Sequence, residues 1–543
     1  MMDYPLTVRS IYERARRLFP DKQLATRWPG GVERTTYGDW AERVARLAGA
    51  LRELGVGPGD RVATFCWNHD RHLEAYFAAA LMGASYHTLN IRLGGEQLAY
   101  ILDHARDKVL VADAELTPAI GPVLPGADTV EHVLVVAAGG GERPSLGFRS
   151  EHDYEALVER AAPMSDWPAL EEEQTAGICY TSATTGNPKG VAYTHRALFI
   201  HTLATGLVDT LGLSERDVVL PIVPMFHVNA WGLPFGSAWF GAGLVFGGPH
   251  PTPADYLRLI REEGVTFAAG VPTVWLGVAH LLEQDGGDLG SLQRIVCGGS
   301  AAPVSMIRMY EQRYGVEFIH AYGMTEATPL THLSRLKSNL KHLPEAERYS
   351  FKAKQGLLAP GLEQRLVDEQ GRPVPSDGKA WGEVLLRGPW IADEYLDDPR
   401  SAATFIDGWY HSGDVATVDP EGYLQLVDRT KDLVKSGGEW ISSVELENAL
   451  MGHPAVAEAA VIAVPDAKWG ERPLAVVVRK PGTDAGPDDL VAAIGDQFPK
   501  WWLPDRVEFI DEIPKTATGK FSKRTLRERF IGAPGGEPEN DER

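Results

Sequence analysis

Short apolar runs alternate with amphipathic stretches between residues 36 and 297 of this chain, and this alternation limits the folds open to it. The runs of strand length are residues 61–65, 108–111, 218–223, 265–269 and 292–297, and the stretches with helical spacing are residues 36–54, 72–82 and 256–263. Because parallel strands need a helix-length crossover, the pattern predicts an α/β fold in which helices cover largely parallel sheets. At 543 residues the chain is too long for one ordinary core, so we expect several structural units.

The pattern of predicted elements changes after about residue 355. Glycine, proline and aspartate turns separate short strands at residues 361–367, 382–387 and 423–428, which predicts a small β-rich subdomain. A further α+β unit begins near residue 428, with helices at residues 444–451 and 488–497 and strands at residues 456–464 and 474–479. Residues 532–543 contain few apolar side chains and are expected to be disordered.

Charge and cysteine content exclude several classes of protein. The formal net charge is −21, and such an acidic chain repels nucleic acid and anionic membranes, so neither is an expected partner. Three cysteines without a CxxC pair (Cys66, Cys179 and Cys297) argue against a disulfide scaffold or a structural zinc site. The N-terminus does not resemble a secretory signal, and the apolar residues 218–248 are interrupted by polar side chains and prolines. We therefore expect no integral membrane association and a cytoplasmic location.

Residues 180–190 (YTSATTGNPKG) form a hydroxyl-rich loop after a predicted strand. Their backbone N–H groups, hydroxyls and one lysine could bind a polyphosphate. The loop is not a Walker A motif, because Pro188 precedes Lys189 and a glycine follows it. An isolated hydroxyl cluster of this kind is usually a solvated turn, so its meaning depends on the rest of the chain.

Four further motifs follow this loop in order. They are residues 321–326 (AYGMTE), 409–414 (WYHSGD), 428–432 (DRTKD) and 514–520 (PKTATGK). Together they resemble the acyl-adenylate-forming, or AMP-binding, superfamily over residues 10–530. Residues 224–231 (PMFHVNAW) and 435–443 (KSGGEWISS) are most similar to the branch of bacterial medium- and long-chain fatty-acyl-CoA synthetases.

The resemblance implies an AMP-forming ligase that converts ATP, a fatty acid and coenzyme A into acyl-CoA, AMP and pyrophosphate through an acyl-adenylate, with Mg²⁺. It also implies a large domain over residues 1–428, a hinge linker at residues 429–432 and a small mobile domain over residues 433–531. The small domain would present Lys520 for adenylation and then rotate to present residues 435–440 for thioester formation. A homodimer is expected by analogy with relatives.

Site residues follow from the same resemblance. It implies catalytic roles for Lys520, His227, Glu326 and Arg429, and metal binding by Thr181 and Glu326. It implies an acyl and coenzyme A channel at His227, Trp231, Gly437, Gly438 and Glu439. It implies nucleotide contacts from Thr181, Ser182, Thr184, Thr185, Gly186, Lys189, Gly299, Ser300, Ala301, His320, Ala321, Tyr322, Gly323, Thr325, Asp414, Arg429, Lys431, Lys435 and Trp440. Without the resemblance, a histidine at His227 is more often a hydrogen-bonded core residue than a catalyst, and Trp231 is as typical of a core as of a channel. Asp414 is then typical of a Ser-Gly-Asp turn.

Other functions stay open, and one of them depends on a departure from the family pattern. Ala183 stands where the family loop usually has glycine, which adopts φ > 0 more easily. A ligase for aryl or short-chain acids, and an enzyme that passes its acyl-adenylate to a carrier protein or an amine, remain alternatives. A nucleotide-binding pseudoenzyme is a third, supported only by Ala183 and opposed by the presence of Glu326, Asp414, Arg429 and Lys520.

Overall fold

The computed structural model describes residues 2–137, 143–181, 187–429, 432–437, 439–515 and 521–531, without the side chains of Asp285 and Glu439. The chain divides into two compact units. The first comprises Met1–Glu363 and Leu386–Tyr410, and the second comprises Gln364–Leu385 and His411–Arg543. The predicted hinge at residues 429–432 and the domain limits around it stay predictions.

The elements alternate as the sequence indicates. The helices are α1 Val8–Leu18, α2 Tyr37–Glu53, α3 Asp70–Leu81, α4 Gly95–Ala105, α5 Thr117–Ile120, α6 Tyr154–Arg160, α7 His195–Thr205, α8 Leu233–Phe240, α9 Pro253–Glu262, α10 Pro272–Asp285, α11 Val304–Tyr314, α12 Glu345–Ala353, α13 Ser401–Thr404, α14 Ser443–Met451, α15 Pro487–Ile494 and α16 Lys523–Ile531. The strands are β1 Gln23–Trp28, β2 Gly31–Thr36, β3 Arg61–Phe65, β4 Ser85–Thr88, β5 Val109–Asp113, β6 His132–Val136, β7 Glu151–Asp153, β8 Thr175–Tyr180, β9 Gly190–Thr194, β10 Val218–Pro221, β11 Gly243–Phe246, β12 Phe267–Gly270, β13 Arg294–Gly298, β14 Glu317–Gly323, β15 Leu330–Leu333, β16 Leu357–Leu358, β17 Glu363–Val367, β18 Gly382–Arg387, β19 Phe405–Ile406, β20 Trp409–Val418, β21 Leu424–Arg429, β22 Val434–Ser436, β23 Glu439–Ile441, β24 Val456–Asp466, β25 Gly470–Arg479 and β26 Arg506–Phe509.

Two large sheets form the body of the first unit. One has the order β16-β15-β14-β13-β12-β10-β11-β1-β2, and the other has the order β7-β6-β5-β3-β4-β8-β9. Their central strands run parallel, as in the pairs β12 with β13 and β13 with β14, while β2, β9 and β15 pair antiparallel with their neighbours. The predicted α/β class with layered, largely parallel sheets is therefore confirmed.

Helix α2 illustrates how the sequence sets these elements. It begins at Tyr37, where the Thr36 side chain accepts a hydrogen bond from the backbone N–H of Asp39 at 3.1 Å. Its apolar face is buried, with the Trp40 ring meeting Phe77 of α3 edge to face at a centroid distance of 4.8 Å. Such tertiary packing of the apolar face supplies most of the stability of an amphipathic helix.

The second unit contains a sheet of order β23-β22-β25-β24, with β26 parallel to β25. Strands β24 and β25 pair antiparallel along nearly their whole length, and α14 and α15 bury Leu446, Leu450 and Leu490 in its core. The same unit holds most of β20 and β21, which pair antiparallel. Asp414 lies inside β20 opposite Arg429, so the expected Ser-Gly-Asp turn is wrong.

Within the described ranges, no helix has both the length and the apolar character that a membrane-crossing segment requires.

Candidate active site

The predicted site residues of the first unit follow the carboxyl ends of parallel strands. Thr181 follows β8, His227 follows β10, residues 299–301 follow β13 and Glu326 follows β14. Ligands of open α/β sheets bind at this edge, because neighbouring loops that lead to opposite faces of the sheet leave a crevice there. Tyr193 on β9 links the two sheets at this edge, where its hydroxyl donates a hydrogen bond to the carbonyl oxygen of Thr325 at 2.9 Å.

The ends of the hydroxyl-rich loop are fixed by backbone contacts. The N–H of Thr181 donates to the carbonyl oxygen of Lys189 at 2.9 Å, and the N–H of Lys189 donates to Thr181 Oγ1 at 3.3 Å. A side chain at Gly190 would lie 2.9 Å from the Tyr180 ring, so this loop needs a glycine where it rejoins the sheet. The predicted contacts Ser182, Thr184, Thr185 and Gly186, and the departure Ala183, lie outside the described residues.

Tyr395 connects the loop lysine to the predicted metal ligand. Lys189 Nζ donates to the Tyr395 hydroxyl at 2.8 Å, and that hydroxyl donates to Glu326 Oε1 at 2.7 Å. The Lys189 ammonium also lies 4.0 Å from the centroid of the Tyr395 ring. The structure therefore brings Thr181, Lys189 and Glu326 into one connected group, and Tyr395 is a member that the sequence analysis missed.

Burial and a backbone hydrogen bond hold Glu326 in place. Its side chain and that of Thr325 are buried, and the Glu326 carbonyl oxygen accepts a hydrogen bond from the N–H of Ala392 at 2.8 Å. Carboxylate and hydroxyl oxygens are the donors that Mg²⁺ prefers, and proteins usually contribute one or two of them beside phosphate oxygens. The donor set Thr181 and Glu326 thus fits the expected cation.

Seven of the predicted nucleotide contacts lie on, or directly after, the two paired strands β13 and β14. Gly298 of β13 pairs with Ala321 of β14, and Tyr322 and Gly323 follow on the same strand, as Gly299, Ser300 and Ala301 follow β13. His320 is buried, with Nδ1 2.9 Å from the carbonyl oxygen of Ala353. Burial lowers the pKa of His320, while the carbonyl oxygens beside its ring oppose that shift, including that of Ser300 at 3.4 Å from Nε2.

The segment with His227 and Trp231 has an unusual backbone. Val228, Asn229, Ala230 and Trp231 have φ values of 46°, 53°, 47° and 59°, which form a left-handed turn. For residues other than glycine this conformation costs about 1–2 kcal/mol each, and such strain clusters at functional sites. The N–H of Val228 donates to Cys179 Sγ at 3.4 Å, which helps to hold the turn.

This turn places the half-buried Trp231 ring against the end of β13. A Cβ at Gly298 would lie 3.1 Å from Trp231 Cη2 and 2.7 Å from the carbonyl oxygen of Ala321. Gly298 is therefore required for the indole to lie beside the predicted nucleotide contact Ala321. His227, which precedes the turn, is also half-buried.

Predicted residues of the second unit form two local contacts. Arg429 Nε lies 3.2 Å from Asp414 Oδ1, so these two predicted nucleotide contacts form an ion pair. Lys435 Nζ lies 4.0 Å from the centroid of the Trp440 ring. Lys431, Gly438 and Lys520 lie outside the described residues, as does the side chain of Glu439.

Trp469, which the sequence analysis did not single out, covers Gly437. Gly437 has φ +62°, its N–H donates to the carbonyl oxygen of Trp469 at 2.7 Å, and a Cβ there would lie 2.8 Å from the indole. Trp469 is itself 45% exposed. The glycine is therefore needed both for its backbone conformation and for this close approach.

Cys66, His69 and Asp113 form a buried cluster of potential metal-ligating atoms in the first unit. His69 Nδ1 accepts the N–H of His72 at 2.9 Å, so its proton lies on Nε2 and is donated to Asp113 Oδ1 at 2.8 Å. A metal on Nε2 would require an imidazolate or the loss of this helix cap. Burial also raises the pKa of the Cys66 thiol, so the cluster is structural.

Comparison with known proteins identifies the family. The AMP-binding enzyme model matches residues 12–396, and the model of the AMP-binding enzyme C-terminal domain matches residues 445–520. The chain is 50% identical over 540 residues to a long-chain-fatty-acid–CoA ligase of Thermus thermophilus, covering 99% of this chain and 98% of that protein. It is 42% identical to a 3-methylmercaptopropionyl-CoA ligase of Ruegeria lacuscaerulensis, with coverage of 98% and 99%.

A solved structure agrees with these relatives. The anthranilate CoA ligase AuaEII in complex with anthranoyl-AMP superimposes with a TM-score of 0.86 at 27% identity, covering 97% of this chain and 98% of that chain. The chain belongs to the AMP-binding enzyme family. The predicted class of ATP-dependent acid–thiol ligase, with ATP and coenzyme A as substrates, is thereby confirmed.

Proposed function

We propose that this protein is an AMP-forming fatty-acyl-CoA synthetase for medium- or long-chain acids. The observation that carries the proposal is the connected group Thr181, Lys189, Tyr395 and Glu326 at the carboxyl ends of the sheets. It presents one ammonium to an anion and one carboxylate to a cation, which are the needs of a metal-bound triphosphate. The name of the Thermus relative supports the choice of a fatty acid.

The proposed chemistry has two steps. The fatty carboxylate attacks the α-phosphorus of ATP, a new O–P bond forms, and the bond to the pyrophosphate oxygen breaks to give acyl-AMP. The thiol of coenzyme A then attacks the acyl carbon, loses its proton, and AMP leaves. Both steps depend on positioning and on charges placed where negative charge develops.

Particular residues are assigned to these steps. Thr181 and Glu326 would hold Mg²⁺, which when bound neutralises part of the phosphate charge. Lys189 would contact the phosphates, and the Asp414 carboxylate would accept hydrogen bonds from the ribose hydroxyls with Arg429 beside it. His227 and Trp231 would separate the acyl tunnel from the nucleotide until the thiol enters.

We also propose that residues 429–432 are a hinge between the two half-reactions. Lys520 would serve adenylation, and residues 435–440 would serve thioester formation, with Gly437 and Gly438 next to the pantetheine. The cytoplasm and a homodimer remain the proposed location and assembly.

A panel of acids tests the proposed function. Purified protein with Mg²⁺ and ATP should release pyrophosphate with C8–C18 acids, and AMP release should require coenzyme A. If pyrophosphate release is fastest with benzoate, anthranilate or acids shorter than C6, the substrate is an aryl or short-chain acid and not a fatty acid. Acyl transfer to an amine or carrier without coenzyme A would change the acceptor, and absence of any acyl-AMP would refute the proposal.

Ala183 in the hydroxyl-rich loop gives a further prediction. Ala183→Gly should raise the adenylation rate by at most about fivefold or leave it unchanged, because glycine removes a strain of about 1 kcal/mol only if φ is positive there. The measurement is pyrophosphate release at saturating ATP, with Ala197→Gly in helix α7 as a control for a general loss of stability. A fall of tenfold or more would show that the methyl group itself supports the loop.

A further inference from the structure

We propose that Tyr395 is a positioning residue that keeps Lys189 and Glu326 apart, so that the lysine stays ready for phosphate and the carboxylate for a divalent cation. This proposal rests on the proposed function, since it assigns a role within the same nucleotide site.

The hydrogen-bond directions follow from the chemistry of the three groups. An ammonium only donates and a carboxylate only accepts, so the Tyr395 hydroxyl receives a proton from Lys189 Nζ at 2.8 Å and gives its own to Glu326 Oε1 at 2.7 Å. Tyr395 is 2% exposed, so little solvent competes for these two hydrogen bonds.

The tyrosine is itself fixed by its surroundings. Its backbone N–H donates to Ser401 Oγ at 2.9 Å, and its ring meets Phe405 at a centroid distance of 5.1 Å. The next residue, Leu396, donates its N–H to the carbonyl oxygen of Gly190, the last residue of the hydroxyl-rich loop, at 2.8 Å. The hydroxyl thus has a defined place relative to Lys189.

The spacing explains what the hydroxyl prevents. Lys189 Nζ and Glu326 Oε1 both bond to one hydroxyl oxygen, at 2.8 Å and 2.7 Å, so removing that oxygen leaves two opposite charges that a short movement of the flexible lysine side chain can bring into a direct ion pair. A direct pair would satisfy both charges, and the triphosphate and the cation would each have to break it. Partners that orient a metal-binding carboxylate typically contribute about 10–100-fold in metal affinity.

Nucleotide and metal affinity provide the test. Tyr395→Phe should weaken binding of Mn²⁺ with a non-hydrolysable ATP analogue by about tenfold or more, measured by calorimetry and by electron paramagnetic resonance of Mn²⁺. The KM for ATP should rise more than kcat falls. Tyr310→Phe is the matched control, because it also removes a buried hydroxyl in the first unit, one that donates to the carbonyl oxygen of Trp275.

A double variant separates spacing from simple packing. In Lys189→Met, the further change Tyr395→Phe should cost much less in Mn²⁺ affinity, because no ion pair can form. An equal cost in both backgrounds, or unchanged affinity in Tyr395→Phe, would overturn the spacer role. If wild-type protein binds no Mn²⁺–nucleotide complex, the proposed function fails instead, so the two failures are distinguishable.

Discussion

Lys520→Ala should reduce acyl-adenylate formation by about 10²–10³-fold, while conversion of supplied acyl-AMP to acyl-CoA stays within about threefold of wild type. When the carboxylate attacks the α-phosphorus, two anions approach and charge builds on the phosphate oxygens. A lysine that meets this charge stabilises the transition state more than the bound substrates. The measurement is single-turnover acyl-AMP formation in one assay and thioester formation from synthetic acyl-AMP in another.

Arg524→Ala is the control for Lys520→Ala. Arg524 lies four residues further on, in helix α16, where it is exposed and its Nε pairs with Glu528 Oε1 at 2.7 Å. Its loss should leave both half-reactions unchanged. Equal losses in both half-reactions for Lys520→Ala would contradict the proposed alternation, and unchanged adenylation would remove Lys520 from the first step.

Local patterns were sufficient for most elements of the fold. Residues 36–54 were predicted as a helix and form α2 with its cap at Thr36, and residues 61–65 were predicted as a strand and form β3. Helical spacing, a capping threonine and a short apolar run are local signals, because each lies within a single segment of the sequence. Sequence alone misjudged Asp414, since Ser-Gly-Asp favours a turn. Pairing of β20 with β21 outweighs that local preference.

Long-range contacts explain what the sequence did not reveal at the site. Tyr395 is 69 residues from Glu326 and 206 residues from Lys189, so no local pattern joins them. The left-handed turn at residues 228–231 is equally hidden, because none of its side chains favours φ > 0 except that of Asn229. Tertiary packing around Cys179 and Gly298 imposes it.

Lys523→Met should lower the stability of the second unit by about 3–5 kcal/mol, because it leaves a buried carboxylate without its counter-ion. Lys523 Nζ lies 2.8 Å from Glu447 Oε1 and 4.0 Å from Asp428 Oδ1, and the Lys523 and Glu447 side chains are 12% and 9% exposed. Glu447 Oε1 also accepts the N–H of Val461 at 2.8 Å. Hydrogen exchange of the amides in β24 reports this unit separately from the first.

The matched control is an exposed pair in the same unit. Lys515 Nζ lies 2.7 Å from Glu458 Oε1, but these side chains are 31% and 24% exposed, so Lys515→Met should cost less than about 1 kcal/mol. Adding Glu447→Gln to Lys523→Met should recover much of the loss, because the amide carries no charge. A loss no larger than that of Lys515→Met would show that the buried charges contribute no more than exposed ones.

The pH dependence of the Lys523→Met variant has a definite sign. Burial raises the pKa of the Glu447 carboxyl, and the Lys523 ammonium opposes that rise, so removing the lysine should raise this pKa further. A carboxyl whose pKa is higher in the folded than in the unfolded state adds stability below its unfolded pKa and loses it as pH rises through the folded value. The deficit of the variant should therefore be smaller at pH 5 than at pH 8. A deficit that is independent of pH would mean that lost packing of the lysine stem, and not the buried charge, causes it.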